Sequence, residues 1–162
     1  MICAIFSIDQ MGGIGTNGTL PWAHDPEDMA WFRELTTDQI VVMGRRTWDD
    51  PKMPKPLPGR KNYVVTSHSL HHTGATAIKG DICEQLRDLQ QRHPGKKIFL
   101  LGGAELIEAA KPALDFVYIT HRKGNYRCET RVNMFDFVVG MRAISARPST
   151  NKMLNFCIYR NI

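Results

Sequence analysis

Five short apolar runs, separated by segments with helical patterns, constrain the fold more than any other feature of this chain. The first, ICAIFSI, covers residues 2–8, and the others are IVVM at 40–43, YVVT at 63–66, KIFLL at 97–101 and FVYIT at 116–120. Short apolar runs rich in β-branched residues are typical of strands buried on both faces. Strands that alternate with helices need crossover connections, so we expect a mainly parallel sheet covered on both faces.

The ends of two helices and of a hairpin can be placed from local patterns. Asp81 to His93 begins with a D-x-x-E capping pattern and ends before a Pro-Gly pair, and Ala104 to Lys111 stops at a proline. Segments 141–146 and 153–160 flank RPSTNK, which predicts an antiparallel hairpin. The predicted fold class is α/β, with three αβα layers and a central, mostly parallel mixed sheet closed by this C-terminal hairpin.

Composition predicts a compact protein with reduced thiols. The chain has 162 residues, of which 43% are hydrophobic, so a single domain over 1–162 can bury a sizeable core without disulfides or metals. The four cysteines are widely spaced and form no CxxC pair, so buried reduced thiols are expected. They are Cys3, Cys83, Cys128 and Cys157. No apolar run approaches the roughly 20 residues of a membrane span, and the N-terminus lacks a basic region, so a cytoplasmic location is expected.

The charge distribution limits the classes of binding partner that we expect. A net charge of +5 favours acidic partners such as phosphorylated or carboxylated small molecules, an anionic membrane surface or nucleic acid. The basic residues are scattered in short groups, which weakens the nucleic-acid interpretation. His68, His71 and His72 lie close together, but without cysteines or an HExxH pattern they predict a solvated loop and no metal site.

A glycine-rich loop at 12–24 leads into a short helix whose start is well marked. Asp25 can cap the helix, and Pro26 suits its first turn because its φ angle is already helical. On a 3.6-residue period, Glu27 is expected to point at water, whereas Asp28 lines up with apolar residues at i+4 and i+7.

The position of Asp28 makes it the leading functional candidate. A carboxylate on an apolar helix face must be paired, hydrogen-bonded or protonated, and such groups often belong to sites. The alternative is a partly exposed acid that is favoured in the first helical turn by the helix dipole.

Three predicted strand ends carry groups suited to anions. In open α/β sheets, ligands bind beyond the carboxyl ends of strands, near helix N-termini. One predicted strand is followed by Gly44-Arg45-Arg46-Thr47, and another by Gly102-Gly103-Ala104. A third is followed by Ser67 and His68. No acidic residue stands there, where an NAD-type site would have one to bind a ribose hydroxyl. Each pattern alone is weak, because glycines after strands are usually turns. Together they favour a phosphorylated dinucleotide with a ribose 2′-phosphate, although the usual GxGxxG pattern is lacking.

In their order and spacing these motifs resemble the dihydrofolate reductase family over most of the chain. The matching residues are I14-G15, L20-P21-W22, P26-x-D28-x-A30-W31-F32, V42-M43-G44-R45-x-T47-W48, P56-L57-P58-G59-R60-K61-N62, G102-G103-A104 and Y118-I119-T120-H121. The resemblance implies that fold, and a hydride transfer from NADPH to C6 of dihydrofolate with protonation at N5, in support of one-carbon metabolism. We expect a monomer.

The resemblance assigns residues to the substrate side. Asp28 is implied to hydrogen-bond the pterin ring, with Thr120 supporting it directly or through water and Trp22 completing the catalytic group. The apolar setting would raise the pKa of Asp28, which is useful in protonation near neutral pH. Arg60 is implied to bind the substrate's α-carboxylate bidentately. The substrate-binding residues implied are Ile5, Met29, Phe32, Leu57, Arg60 and Leu101.

The cofactor side is assigned in the same way. Residues 15–22 match a mobile loop that closes over nicotinamide. Gly102 and Gly103 match a glycine pair joined by a cis peptide in the family. The cofactor-binding residues implied are Ser7, Ile14, Gly15, Leu20, Gly44, Arg45, Arg46, Thr47, Thr66, Ser67, His68, Lys79, Gly102, Gly103, Ala104, Glu105, Leu106 and Ile107.

The chain also departs from the family pattern. Ile107 stands where many bacterial relatives have a tyrosine near nicotinamide, two additional residues precede Pro56 and blur the assignment of Met53, and the chain after Thr130 matches only as a strand pattern. Two alternatives stay open: a related reductase acting on another pterin-like or riboflavin-precursor substrate, and a binding module without turnover.

Overall fold

The computed structural model describes residues 1–15, 22, 25–71 and 74–162. Within them the strands are β1 (Ile2–Ile8), β2 (Gly13–Gly15), β3 (Ile40–Gly44), β4 (Lys61–Val65), β5 (Ala75–Ile78), β6 (Ile98–Leu100), β7 (Phe116–Arg122), β8 (Thr130–Arg131), β9 (Met141–Pro148) and β10 (Leu154–Asn161). The helices are α1 (Pro26–Thr36), α2 (Arg45–Asp49), α3 (Ile82–Arg92), α4 (Ala104–Ala110) and α5 (Met134–Phe137). A 3₁₀ turn at Lys111–Ala113 follows α4.

Eight of these strands form the central sheet, in the order β5-β4-β3-β6-β1-β7-β10-β9. The neighbours from β5 to β7 are parallel, and β10 is antiparallel to both β7 and β9. The predicted mostly parallel sheet and its C-terminal hairpin are therefore confirmed. The carboxyl ends of β1, β3, β4 and β6 meet at one edge of the sheet, which is where ligands bind in such folds.

Side chains that alternate along the strands belong to two apolar clusters, one on each face of the sheet. On β3, Val41 joins one cluster and Val42 the other, and both are 0% exposed. The first cluster packs against α1 and contains Phe99, and the second packs against α3 and α4 through residues such as Leu86. This division produces the predicted three layers.

Two features of the fold have no clear counterpart in the sequence patterns. The edge strand β5 has the sequence ATAI and is partly or fully exposed, so it lacks the apolar run by which the other strands were recognised. The strands β2 and β8 contain three and two residues and pair in a separate antiparallel sheet. Such short pairings are fixed by tertiary contacts, which a periodicity analysis does not detect.

The four cysteines are free and buried, as predicted. No described helix has the length and apolar character needed to cross a membrane. The described residues contain no group of three or more histidine, cysteine or acidic side chains placed to hold a metal, and His72 lies outside them.

Candidate active site

Helix α1 begins where its sequence predicts. The Asp25 side chain accepts hydrogen bonds from the backbone N–H groups of Glu27 at 2.9 Å and Asp28 at 3.2 Å, and Pro26 is the first helical residue. The helix lies against the sheet through Trp31, whose ring centroid is 4.9 Å from that of Phe156 and 6.0 Å from that of Tyr118. These contacts place α1 over β7 and β10.

A short hydrogen bond joins Asp28 to the sheet. The hydroxyl Oγ1 of Thr120, on β7, donates to Oδ1 of Asp28 at 2.6 Å, and Thr120 is buried. Directly beside Thr120 in the parallel pairing of β1 and β7 lies Ser7. The Ser7 hydroxyl is buried and has no hydrogen-bond partner in the described part of the chain. A buried hydroxyl without a partner is costly, so this position is suited to a polar ligand atom.

Glu27 does not simply point at water. Its side chain is 31% exposed, accepts a hydrogen bond from the backbone N–H of Thr150 at 3.0 Å, and lies 3.5 Å from the guanidinium of Arg147. The hydrogen bonds from Thr150 and the charge of Arg147 lower the pKa of Glu27. Its partners lie at the end of β9 and in the hairpin turn, 120 and more residues along the chain, so the helical period alone did not predict them.

The loop before β4 is organised by the side chain of Asn62. This amide donates to the carbonyl oxygens of Leu57 and Arg60 at 3.0 Å and accepts from the N–H of Leu57 at 3.0 Å. The PLPGRK loop is thereby folded back on the strand that follows it. Leu57 is buried at 6% exposure, and Arg60 is held at the edge of the apolar cluster beneath α1.

Arg60 is a partly buried cation that forms no salt bridge with a carboxylate of the described residues. Its guanidinium lies 5.7 Å from the ring centroid of Phe32, and its Nε is buried with no hydrogen-bond partner among the described residues. Desolvation, with the nearby charge of Arg33 as a second cause, lowers the pKa of Arg60. Burial and a like charge both disfavour the isolated cation, so an anion bound here would relieve both.

Most of the apolar residues predicted to bind the substrate lie together on the α1 side of the sheet. Ile5, Leu57, Phe32 and Leu101 all belong to the same apolar cluster or pack against it. Met29 is an exception because it is 45% exposed and is not part of that cluster. An exposed methionine on the same helix as Asp28 is compatible with a ligand-facing position.

The ends of β3 and β6 are joined through glycines. The backbone N–H of Gly44 donates to the carbonyl oxygen of Gly102 at 2.8 Å, and the Gly102-Gly103 peptide is cis, as the resemblance implied. A Cβ on Gly44 would lie 3.0 Å from Leu106 Cδ1 and 3.5 Å from the Gly102 carbonyl oxygen. A Cβ on Gly103 would meet nothing within 4 Å, so the backbone there is open to a ligand.

The polar groups predicted to bind phosphate lie at the ends of three neighbouring strands, β3, β4 and β5. Arg45 is held by Asp49, 3.1 Å from its Nε, and by the carbonyl oxygen of Ser69 at 3.3 Å. Thr66 is buried and accepts a hydrogen bond from the N–H of His68 at 3.1 Å. The exposed members of the group are Arg46, Ser67, His68 and Lys79.

The side chain of Ile107, which the resemblance assigns to the cofactor site, lies in the core. It is 0% exposed and belongs to the apolar cluster beneath α3 and α4. Its Cδ1 lies 3.9 Å from the position of a Cβ on Gly102. A helical period places Ile107 on the inward side of α4 with Ala104 and Ala110, so its side chain supports the glycine pair from within the core.

Trp22 is buried at 7% exposure and contacts the segment after β7. Its ring centroid is 5.3 Å from that of Tyr126, and the guanidinium of Arg122 lies 5.1 Å from its ring. Ile14 and Gly15 are in β2, which pairs with β8. Leu20 and most of the predicted 15–22 loop lie outside the described residues.

Asp9 was not singled out from the sequence, yet it is a buried charge at the base of that loop. Its carboxylate accepts from the backbone N–H groups of Met11 and Gly13 at 2.8 Å and of Tyr126 at 2.9 Å. Desolvation opposes ionisation, but these hydrogen bonds outweigh it and lower the pKa of Asp9. The sequence feature that could have revealed it is an acid directly after a buried strand and before the turn MGG.

The family match defines the class of protein, an α/β oxidoreductase that uses a nicotinamide dinucleotide. The family model for dihydrofolate reductase matches residues 1–159. The chain therefore belongs to the dihydrofolate reductase family.

Individual relatives agree with this assignment. The chain is 33% identical to dihydrofolate reductase of Bacillus subtilis over 138 residues, covering 84% of this chain and 77% of the relative. It is 36% identical to the enzyme of Staphylococcus aureus over 117 residues, covering 72% and 68%. A bifunctional dihydrofolate reductase-thymidylate synthase of Daucus carota is 30% identical over 94% of this chain, which matches only 32% of that protein.

A solved structure shares the fold. Dihydrofolate reductase from Enterococcus faecalis, complexed with NADP(H) and RAB-propyl, superposes with a TM-score of 0.82 at 23% identity. The similarity covers 99% of this chain and 95% of that chain. The whole of the described architecture is therefore that of the family.

Proposed function

We propose that this chain reduces 7,8-dihydrofolate to 5,6,7,8-tetrahydrofolate with NADPH, in support of one-carbon metabolism. The observation that carries the proposal is the Asp28 carboxylate, held at 2.6 Å by the Thr120 hydroxyl on the α1 side of the sheet. Family membership gives the reaction, and this pair supplies a fixed acid beside the apolar residues assigned to the substrate.

Asp28 is the only acid that we assign to the chemistry. Its carboxylate would hydrogen-bond the pterin ring and assist protonation at N5, while Thr120 fixes the orientation of the carboxylate. Trp22 lies near the same end of β7 through its contacts with Arg122 and Tyr126. We assign it to closing the site.

The two ends of the substrate would be bound by different interactions. Apolar contacts would hold the pterin and aminobenzoyl groups, and Arg60 would bind the α-carboxylate of the glutamate tail. The buried Nε of Arg60, without a partner among the described residues, supports that assignment because a bidentate carboxylate would satisfy it. The residues that we assign to the apolar walls are Ile5, Met29, Phe32, Leu57 and Leu101.

The residues at the strand ends fit a phosphorylated nicotinamide cofactor. Ser7 offers a buried hydroxyl with no protein partner in the described chain, and Gly103 leaves the backbone open. When bound, NADPH supplies the hydride. Arg45 would recognise the 2′-phosphate, and the other polar groups would hold the remaining phosphates and ribose. Those groups are Arg46, Thr47, Thr66, Ser67, His68 and Lys79, with Ile14, Gly15, Leu20, Gly44, Gly102, Ala104, Glu105 and Leu106 shaping the rest of the cofactor site.

Assembly and location are part of the same proposal. We assign a monomeric, single-domain enzyme because one chain supplies all of these groups. The four free cysteines suit a reducing compartment such as the cytoplasm. Light scattering on the purified protein tests the monomer, and we expect no nucleic-acid binding at physiological salt.

The two competing functions predict different ligands. A reductase for a substrate without a carboxylate tail leaves Arg60 unexplained, and a module without turnover has no need of the Asp28–Thr120 pair. The decisive experiment is a spectrophotometric assay of NADPH oxidation with dihydrofolate, run beside NADH and beside a pterin that lacks the glutamate tail. We expect oxidation with NADPH and dihydrofolate. A well-folded protein that oxidises neither cofactor would refute the reductase.

A further inference from the structure

Two successive acids on α1, Glu27 and Asp28, contact residues of one row that runs across the strands of the central sheet. The row crosses four strands and consists of Arg147 on β9, Phe156 on β10, Thr120 on β7 and Ser7 on β1, each directly paired with the next. Directly paired residues project from the same face of a sheet. All four side chains are therefore on the α1 side.

Glu27 contacts the outer end of the row, at Arg147. One carboxylate oxygen of Glu27 accepts the backbone N–H of Thr150 at 3.0 Å, and the other lies 3.5 Å from Nη1 of Arg147. The guanidinium of Arg147 is itself stacked on Phe156, 4.8 Å from the ring centroid. The contact thus connects the first turn of α1 to the hairpin and does not depend on one flexible ion pair.

The next residue of the helix, Asp28, contacts the same row further in, at Thr120. Asp28 accepts the hydroxyl of Thr120 at 2.6 Å, and Thr120 and Arg147 are the two neighbours of Phe156 in the row. Trp31, one turn further along α1, packs on the same Phe156 ring at 4.9 Å. Moving Glu27 away from the hairpin would therefore move the whole first turn, including Asp28, relative to Thr120.

We propose that Glu27 is a positioning residue for the reaction, which sets the placement of Asp28 by clamping α1 to the hairpin turn through Thr150 and Arg147. The inference rests on the proposed reductase function, because it assigns Glu27 a role through Asp28. The described contacts of Glu27 are with the hairpin, and we assign it no contact with substrate or cofactor. A misplacement of a reacting group by about 1 Å can cost up to roughly a hundredfold in rate, so a small shift of α1 is enough to matter.

Kinetics of matched variants test the clamp. Glu27→Ala removes both contacts, and we expect kcat/KM for dihydrofolate to fall about tenfold while the Kd for NADPH stays within about twofold. Glu27→Gln keeps an acceptor for the Thr150 N–H and should recover part of the loss. Glu34→Gln removes a charge from an exposed position of the same helix and should leave kcat/KM unchanged.

Arg147 provides the complementary test. Arg147→Met keeps apolar cover over Phe156 but removes the cation, and Glu27→Ala/Arg147→Met should be no worse than Glu27→Ala alone, because the two residues act through one contact. Wild-type kcat/KM in folded Glu27→Ala, additive losses in the double variant, or an equal loss in Glu34→Gln would each overturn the proposal.

Thermal unfolding separates the clamp from the reaction. Thr120→Val should lower Tm by about 2–4 °C in the wild-type background and by clearly less in Glu27→Ala, where the partner of Thr120 has already shifted. An undiminished Tm shift in Glu27→Ala would overturn the clamp. If wild-type protein fails to oxidise NADPH, the proposed function is refuted, and this comparison still decides whether Glu27 positions Asp28.

Discussion

The Thr120 hydroxyl lies 2.6 Å from the Asp28 carboxylate, although 92 residues separate the two along the chain. The contact links the first turn of α1 to a central strand of the sheet. A short hydrogen bond to a carboxylate favours a defined orientation of that carboxylate. The acid proposed to act on the pterin is thus held by the fold before any ligand binds, which avoids the cost of ordering it during the reaction.

Removing the Thr120 hydroxyl should impair catalysis more than folding. Thr120→Val keeps the buried shape and leaves Asp28 without this donor, so we expect kcat/KM for dihydrofolate to fall about tenfold and the free energy of unfolding to fall by about 1 kcal/mol. Steady-state kinetics and urea unfolding measure the two effects. Thr36→Val is the matched control, since Thr36 is a buried threonine of α1 whose hydroxyl donates to the carbonyl oxygen of Phe32 at 2.8 Å. A similar kinetic loss in both variants would contradict the specific role of Thr120.

Neutralising Asp28 should abolish most activity without unfolding the protein. In Asp28→Asn the amide cannot assist protonation, so turnover must depend on protons from solvent. Because these become scarcer as pH rises, the ratio of variant to wild-type rate should decline steadily between about pH 5 and 9. Stopped-flow measurement of the hydride step across that range tests this. Wild-type-like rates throughout would show that Asp28 has another function.

The sequence predicted those parts of the site that local chemistry determines. Asp25 and Pro26 mark the start of α1 because capping is a property of adjacent residues, and the inward position of Asp28 follows from the helical period. Runs such as residues 2–8 became buried strands because burial on both faces requires continuous apolar sequence.

Contacts between distant segments were not predictable in the same way. Glu27 lies beside Thr150 only because the C-terminal hairpin is antiparallel to β7 and places its turn near α1. The burial of Ile107 follows from how α4 packs, and no residue nearby reveals it. The family resemblance predicted the role of Arg60, but only the three-dimensional structure shows that its Nε is buried without a partner in the described chain.

Arg60 should bind substrate and leave the cofactor unaffected. Arg60→Met keeps an unbranched apolar stem beside Phe32 but removes the charge, so folate binding should weaken by ~2 to 4 kcal/mol. The Kd for NADPH should stay within about twofold of wild type. Fluorescence titration measures both constants, with Arg92→Met as the control because Arg92 pairs with Asp88 on the outside of α3. Equal weakening of the two ligands would contradict the assignment.

Arg45 should determine the preference for NADPH over NADH. The 2′-phosphate is the only chemical difference between the two cofactors, so Arg45→Ala should lower kcat/KM for NADPH at least about tenfold and leave the NADH value nearly constant. Asp49→Asn should have the opposite effect, because Asp49 competes for the Arg45 guanidinium at 3.1 Å. Parallel assays with both cofactors measure the ratio. An unchanged ratio in Arg45→Ala would assign the preference to other residues.

Asp9 should make the protein sensitive to acid. The pKa of Asp9 is lowered in the folded state below its ordinary value of 3.8, so its ionisation stabilises the fold fully above that value, and this contribution is lost as pH falls through the lower folded pKa. Asp9→Asn places an amide among N–H donors and should cost about 1 to 3 kcal/mol of unfolding free energy at pH 7. The difference between variant and wild type should shrink when urea unfolding is repeated near pH 3. Asp81→Asn serves as the control, because asparagine caps a helix as well as aspartate does and Asp81 is exposed at the start of α3. A penalty for Asp9→Asn that is the same at pH 7 and near pH 3 would show that the ionised form of Asp9 does not stabilise the fold through its hydrogen bonds with Gly13 and Tyr126.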